Sequence, residues 1–279
     1  MPLLTFTRRS FVSSILAGGA GAGLWMRFVE PWWLKTTRRT VPIGTSGNIR
    51  LLHLSDFHAD PMPLEYLRDT IRSAVKMKPD LICCTGDFIT RRYDRWSEYA
   101  EVLAELSATA PTYACLGNHD GGRWAHKAGG YPDTDLTRNV LETARVTLLH
   151  NDATSIDVRG KEFNLVGLGD WWAKEMEPDL AFGRVNAANP APTILLTHNP
   201  DTKDLLPSYR WDLMLSGHTH GGQLSLPMIG EPFAPIRDKR YVRDLHRWEN
   251  RWLYITAGVG CLHTARFNCR PEISLLTLT

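Results

Sequence analysis

The chain has 279 residues, of which 43% are hydrophobic, 10% aromatic and 22% charged. That composition excludes a disordered or fibrous protein, and the length suffices to bury a sizeable core. The formal charge of +2 is uneven: positions 1–39 carry six basic residues against Glu30, an excess of +5, which leaves positions 40–279 at −3. A faintly acidic body has no broad electrostatic footprint for DNA or RNA, so no nucleic acid is expected as a partner.

Thr7-Arg8-Arg9-Ser10-Phe11-Val12 opens an uncharged, weakly apolar stretch from Ser13 to Met26. Paired arginines before such a run match a twin-arginine export signal, read by the translocation receptor, against the bland reading of a chance basic pair. The expectation is export to the periplasm or the inner membrane, with the cytoplasmic face of that membrane as the alternative. Ala20-Gly21-Ala22 offers a cleavage site, and the run is too short and glycine-rich to span a bilayer. Trp32 and Trp33, between Glu30-Pro31 and Lys35, are either anchors at a membrane surface or packing residues. Gly19 to Gly23 lacks the G-x-G-x-x-G spacing and the later acidic residue of a dinucleotide loop. Positions 1–39 thus read as signal, anchor or linker, and 40–279 as the folded domain.

From Ile49 onward, short apolar runs alternate with helical patterns. The runs are Arg50–Leu54, Leu81–Cys84, Thr112–Leu116, Phe163–Leu168, Thr193–Leu196, Leu213–Leu215 and Trp252–Thr256. Several are continuous, as strands covered on both faces are. Leu64, Leu67, Ile71, Ala74 and Val75 recur at helical spacing before Pro79, and Trp96, Tyr99, Leu103 and Leu106 do so before Pro111. This β-α-β-α-β order predicts parallel pairing in the first half, with the later strands antiparallel or in a second sheet. Among five cysteines there is no C-x-x-C spacing; Cys83, Cys84 and Cys115 read as core, and a Cys261–Cys269 disulfide is compatible with export but not required.

The polar clusters fall immediately after the apolar runs. Asp56-Phe57-His58 follows the first, Gly86-Asp87 the second and Gly117-Asn118-His119-Asp120 the third; His198 follows the run at 193–196, and Gly217-His218-Thr219-His220 the run at 213–215. Ligands collect at the carboxyl ends of strands in an α/β sheet, so five such clusters would converge. Asp, His and Asn supply the oxygen and imidazole donors that bind manganese, iron or zinc. Residues two apart in D-x-H and H-x-H emerge on one side of an extended segment, and a carboxylate has two oxygens with which to bridge two ions. Each piece alone is weak, since many histidines only pack and G-D is an ordinary turn; the ordered set is what carries the reading. His53, His126, His150, His246 and His263 lie outside the clusters and read as structural or surface residues.

This ordered set, from Asp56/His58 to His220, resembles the calcineurin-like metallophosphoesterases. The segments Glu30-Pro31-Trp32, Gly230 to Pro235, Asp238 to Tyr241 and Arg266 to Glu272 add a likeness to the twin-arginine-exported phosphodiesterases among them. The resemblance implies an α/β fold, a four-layer α/β/β/α sandwich of two facing sheets, and two divalent metal ions, manganese ahead of iron or zinc. It also implies that Asp56, His58 and His220 hold one metal and Asn118, His198 and His218 the other, with Asp87 bridging. His119 would protonate the leaving oxygen, with Asp120 orienting it. Phe88-Ile89-Thr90-Arg91-Arg92 departs from the protein-phosphatase branch. The expected activity is hydrolysis of phosphodiester or pyrophosphate bonds at the membrane. A lipid pyrophosphate hydrolase of the UDP-diacylglucosamine type, a phosphomonoesterase and a catalytically silent metal-binding membrane protein are the alternatives.

Overall fold

The computed structural model describes residues 19, 21–45, 47–186 and 188–279; Arg8 and Arg9 lie outside them. The first sheet is built from β1 (Lys35–Val41), β2 (Ile49–Leu54), β3 (Leu81–Thr85), β4 (Thr112–Cys115), β5 (Thr147–Leu148) and β12 (Glu272–Leu278), in the order β1-β12-β2-β3-β4-β5. Helices α1 (Leu64–Val75), α2 (Trp96–Ser107), α3 (Gly122–Lys127) and α4 (Asp135–Thr143) are interleaved with it. The second sheet contains β6 (Asp152–Val158), β7 (Lys161–Gly167), β8 (Thr193–Leu196), β9 (Leu213–Ser216), β10 (Asp244–Trp248) and β11 (Arg251–Ile255), in the order β10-β11-β9-β8-β7-β6. Strands β2, β3 and β4 pair in parallel, as do β7, β8, β9 and β11. Antiparallel partners close both blocks, β12 beside β2, β6 beside β7 and β10 beside β11.

Alternation along each strand sets the layers. Leu51, Leu81, Cys83 and Cys115 point from the first sheet into a shared core with Phe163, Leu165, Ile194, Leu196 and Leu213 of the second. Their neighbours Leu52, Leu54, Ile82 and Cys84 point outward onto Leu67 and Ile71 of α1 and Leu103 and Leu106 of α2. The outer face of the second sheet is thinner, covered by α5 (Pro178–Phe182), a 3₁₀ turn at Pro200–Leu205 and Trp211. Four layers result, as the resemblance implies.

Two expectations change. The boundary at 39/40 falls inside β1, which pairs in parallel with β12 along its whole length, so residues 35–39 are sheet and not linker. All five cysteines are free and buried, Cys261 and Cys269 included. Strand β1 escaped the sequence reading because its Thr and Arg side chains show no apolar periodicity; at a sheet edge, backbone pairing is enough.

Glu272 ties the sheets together. Its buried Oε1 accepts from Tyr254 Oη (3.1 Å) on β11, Thr256 Oγ1 (3.2 Å) and Ser274 Oγ (3.1 Å), while Oε2 accepts from Thr37 Oγ1 (2.8 Å) and lies 2.9 Å from Lys35 Nζ. Burial by itself would raise the carboxyl; Lys35 and these donors outweigh it and hold the group below its ordinary value of 4.5. A depressed carboxyl stabilises the fold above its unfolded pKa and loses that contribution as pH falls through the folded value. Glu272→Gln is therefore expected to cost about 1–3 kcal/mol near neutrality. The gap from the unaltered protein should close below pH 4.5, as measured by urea unfolding across pH.

Candidate metal centre

The turns after β2, β3, β4, β8 and β9 meet at one end of the two sheets, and their backbones are unusual. Asp56, His58, Asp87, His218 and His220 all have positive φ, between 49° and 66°. Residues other than glycine seldom adopt this region, and a concentration of them marks a functional site. Close approach excludes side chains nearby: a Cβ on Gly117 would run into Asp87 Oδ1, and one on Gly217 into Ser55 Oγ and Asp56 Oδ2.

Three buried carboxylates strap the turns to one another. Asp56 accepts from His218 N (3.1 Å), and Asp87 from His119 N (3.0 Å). Asp120 accepts from Asp87 N (2.8 Å), Phe88 N (2.7 Å) and Gly117 N (2.8 Å). Hydrogen bonds of this kind are worth about 0.5–1.5 kcal/mol each, and together they retain the strained turns. Asp120 is thus a clamp on the backbone. It does not orient His119, whose Nδ1 donates instead to Thr90 O at 2.7 Å.

Lone pairs face one another at the centre. His58 Nε2 lies 3.0 Å from His220 Nε2 and 3.6 Å from Asp87 Oδ2, and His220 Nε2 lies 3.4 Å from Asp56 Oδ1. Asp56, His58, Asp87 and His220 each bring one ligand atom to within 4.8 Å of the others. His198 donates from Nδ1 to Thr85 O (2.6 Å), which leaves Nε2 aimed at Asp87 Oδ2, 3.1 Å away. The rings of His198 and His218 stand 5.0 Å apart. His198 Nε2, His218 Nε2, His220 Nδ1 and Asn118 Oδ1 are buried without a hydrogen-bond partner among the described residues. Opposed acceptors and orphaned imidazole nitrogens are costly in a dry interior unless a cation sits among them. These donors fit a divalent first-row ion.

The electrostatics agree. Burial pushes His58 down to about 3 and His218 and His220 well below their ordinary value, so these imidazoles are neutral. Burial raises Asp56 to about 7 and Asp120 to about 8. Burial opposes ionisation of Asp87 too, but His198 and His119 outweigh it and keep this carboxyl well below the usual range, while Asp87 in turn raises His198.

All eight residues singled out from the sequence are buried at this end of the molecule, and contacts tie seven of them directly to one another. Asn118 lies on the wall of a cavity of about 510 Å³ together with Asp87, His119, His218 and His220. Apolar side chains of Met26, Trp124, Trp172, Phe233 and Leu262 make up most of the remaining wall. His263, read as a surface residue, also lines it. Other participants were missed. Thr90 serves two histidines, its Oγ1 lying 3.0 Å from His58 Nδ1. Arg266, fully buried, donates to His220 O and to the carbonyls of Ala257 and Gly260. Asp170, at the turn after β7, is buried with Oδ2 unpartnered among the described residues. Only Asp170 carried a sequence signal, a further Gly-Asp after an apolar run. Trp32 and Trp33 both pack, Trp32 edge-on to Tyr66 and Trp33 beneath the Arg270 guanidinium, yet remain partly exposed.

Comparison with known proteins agrees with this geometry. Residues 49–222 match the calcineurin-like phosphoesterase family. The chain is 39% identical over 279 residues to phosphodiesterase YaeI of Escherichia coli, covering 98% of this chain and 99% of that protein. It is 29% identical over 319 residues to the UDP-2,3-diacylglucosamine pyrophosphatase LpxG of Chlamydia muridarum, covering 95% of each. Among solved structures, TT1561 of Thermus thermophilus aligns at a TM-score of 0.48 and 17% identity, covering 78% of this chain and 91% of that one.

Asp87→Asn retains the shape of the side chain but removes the charge that would offset bound cations. Metal retained after dialysis, measured by plasma emission spectroscopy, is expected to fall by at least half, and turnover to vanish. Full metal content in this variant would remove Asp87 from the ligand set.

Proposed function

The chain belongs to the calcineurin-like phosphoesterase family and is a phosphoric ester hydrolase, and we propose that it cleaves phosphodiesters at a centre of two divalent ions, manganese foremost. Asp56, His58 and His220 would hold one ion, Asn118, His198 and His218 the other, and Asp87 both. The observation that carries this reading is the set of buried donors around Asp87, of which His198 Nε2, His218 Nε2, His220 Nδ1 and Asn118 Oδ1 have no hydrogen-bond partner among the described residues. When bound, such a pair lowers the pKa of a shared water and offsets charge on phosphate oxygens in an in-line displacement.

The protein's own groups supply the rest. His119 is tethered through Nδ1 to Thr90 O, so Nε2 is the nitrogen free to act on the cavity side. There it donates a proton to the leaving oxygen, a role worth about 10²–10⁴-fold. Trp124, 4.7 Å from the His119 ring, limits its rotation. Asp120 holds the two turns bearing Asp87 and His119 in register. A second reading, hydrolysis of a lipid-linked pyrophosphate, is favoured by the apolar wall of the cavity, which a small hydrophilic diester would leave unused. Export by the twin-arginine route belongs to this reading as well, resting on the sequence around Arg8 and Arg9.

Two measurements test it. His119→Ala is expected to retain its metal but lose roughly 10²–10⁴-fold in turnover of an alkyl diester. The loss should shrink with a nitrophenolate leaving group, which needs little proton donation; metal lost in step with activity would make His119 a ligand instead. Replacing Arg8 and Arg9 together by lysine keeps the charge but not the guanidinium geometry, so periplasmic delivery should stop while the cytoplasmic protein stays active. Unchanged delivery would overturn the export assignment.

A further inference from the structure

Two segments distant in the chain form the mouth of the cavity. Met26 comes from a helical run at 21–28, and Leu224, Phe233 and Pro235 from the long connection after β9. The backbone between them laces the two together. Arg266 N donates to Met26 O at 2.9 Å, Phe267 N to Gln223 O at 3.0 Å, and Ser225 N to Phe267 O at 2.8 Å. Glu30, buried at the end of the helical run, accepts from Cys269 N and from Trp25 Nε1. Residues 21–33 are therefore a built part of the catalytic domain.

Both segments also present apolar side chains that nothing among the described residues covers. Leu24, Trp25, Phe28, Val29, Trp32 and Trp33 are exposed in the first, Phe28 by 62% and Trp33 by 50%. Met228 is fully exposed in the second, with Ile229 and Phe233 each 70% exposed. The first patch is ordered, with Trp25 edge-on to Trp33 at 5.7 Å. So much apolar surface around one opening marks an interaction site.

We propose that these two segments seat the enzyme on an anionic bilayer with the cavity mouth opening onto it, and that the substrate is an amphiphilic phosphoester whose apolar arm lies in the cavity. Several features select a lipid surface over a protein. Tryptophan is the residue that favours the headgroup boundary. The first patch carries Arg27 and Arg270 over its aromatic rings, while its acidic residue, Glu30, is buried and internally satisfied. The chain upstream, with Phe11, Val12, Ile15 and Leu16, runs with the same apolar character into the helical run. No helix among the described residues is long and apolar enough to cross a membrane, and the seating proposed is a peripheral one. The substrate half of this inference rests on the phosphoesterase reading; the seating does not.

The test uses the full chain with sedimenting vesicles of phosphatidylglycerol and phosphatidylcholine. Two substrates are compared, soluble bis(p-nitrophenyl) phosphate and hexadecyl p-nitrophenyl phosphate embedded in the vesicles. Phe28→Ser combined with Ile229→Ser removes two side chains that do not line the cavity. Vesicle partition should fall by about tenfold or more per side chain. Turnover of the embedded ester should fall with it, while metal content, melting temperature and turnover of the soluble ester stay as before. Met228→Ser alone, at a fully exposed position, should give a smaller loss in the same direction and guards against misfolding of the double variant. The seating is overturned if the unaltered protein stays in the supernatant, or if the variants bind vesicles as it does. It is also overturned if light scattering shows a dimer that the double variant dissolves. Vesicle binding with no turnover of either ester would overturn the hydrolase reading and leave the seating standing.

Discussion

The ionised carboxylate of Asp87, buried between two sheets, is the constraint from which the rest of the site follows. An anion in a dry interior needs compensation, and the neighbouring carboxyls of Asp56 and Asp120 make that need greater. The chain offers it imidazoles on two sides, neutral His58 at 3.6 Å and His198, whose hold on a proton it strengthens, at 3.1 Å. Cations held among these groups would offset the charge. The protein's contribution is thus a set of lone pairs fixed in advance. Thr85 and Thr90 carbonyls set the tautomers of His198 and His119 from behind.

Fixing those lone pairs requires turns that the backbone would not choose. Five of the site residues lie in the left-handed region, and they stay there because carboxylates strap one turn to the next. Arg266 does the equivalent from the other side, its buried guanidinium collecting the carbonyls of the turn that holds His220 and of the segment 257–260. Both devices depend on the sheets beneath being rigid. Glu272 contributes there by bonding across from β12 to the hydroxyls of Tyr254 and Thr256.

Chemistry and recognition come from different parts of the chain. Every group that faces the metal cluster follows a parallel strand, whereas Met26, Trp124, Trp172, Phe233 and Leu262, which shape the cavity above it, come from connections of irregular length. Loops vary without disturbing a core, so a family can keep the hydrolytic centre and change what it cleaves. In this chain those connections are apolar and reach to residue 26, well before the matched family region begins at residue 49.

The sequence by itself determined the parallel core and which polar clusters gather at its strand ends. Continuous apolar runs at 50–54, 81–84, 193–196 and 213–215 can only be strands buried on both faces, and a polar cluster after each must lie at a strand end. Helices α1 and α2 were legible for the same reason, since burial of one face imposes a period of 3.6 on the residues. Strand β1 and the role of Asp120 were not legible. The first is held by backbone pairing to β12, which sits 237 residues away in register and leaves no trace in side-chain pattern. The second is set by which amides surround a carboxylate, and local spacing says nothing about that. The cavity, the double duty of Thr90 and the burial of Arg266 likewise exist only once distant segments are brought together. Local periodicity records what each segment buries; only the tertiary structure decides what it buries it against.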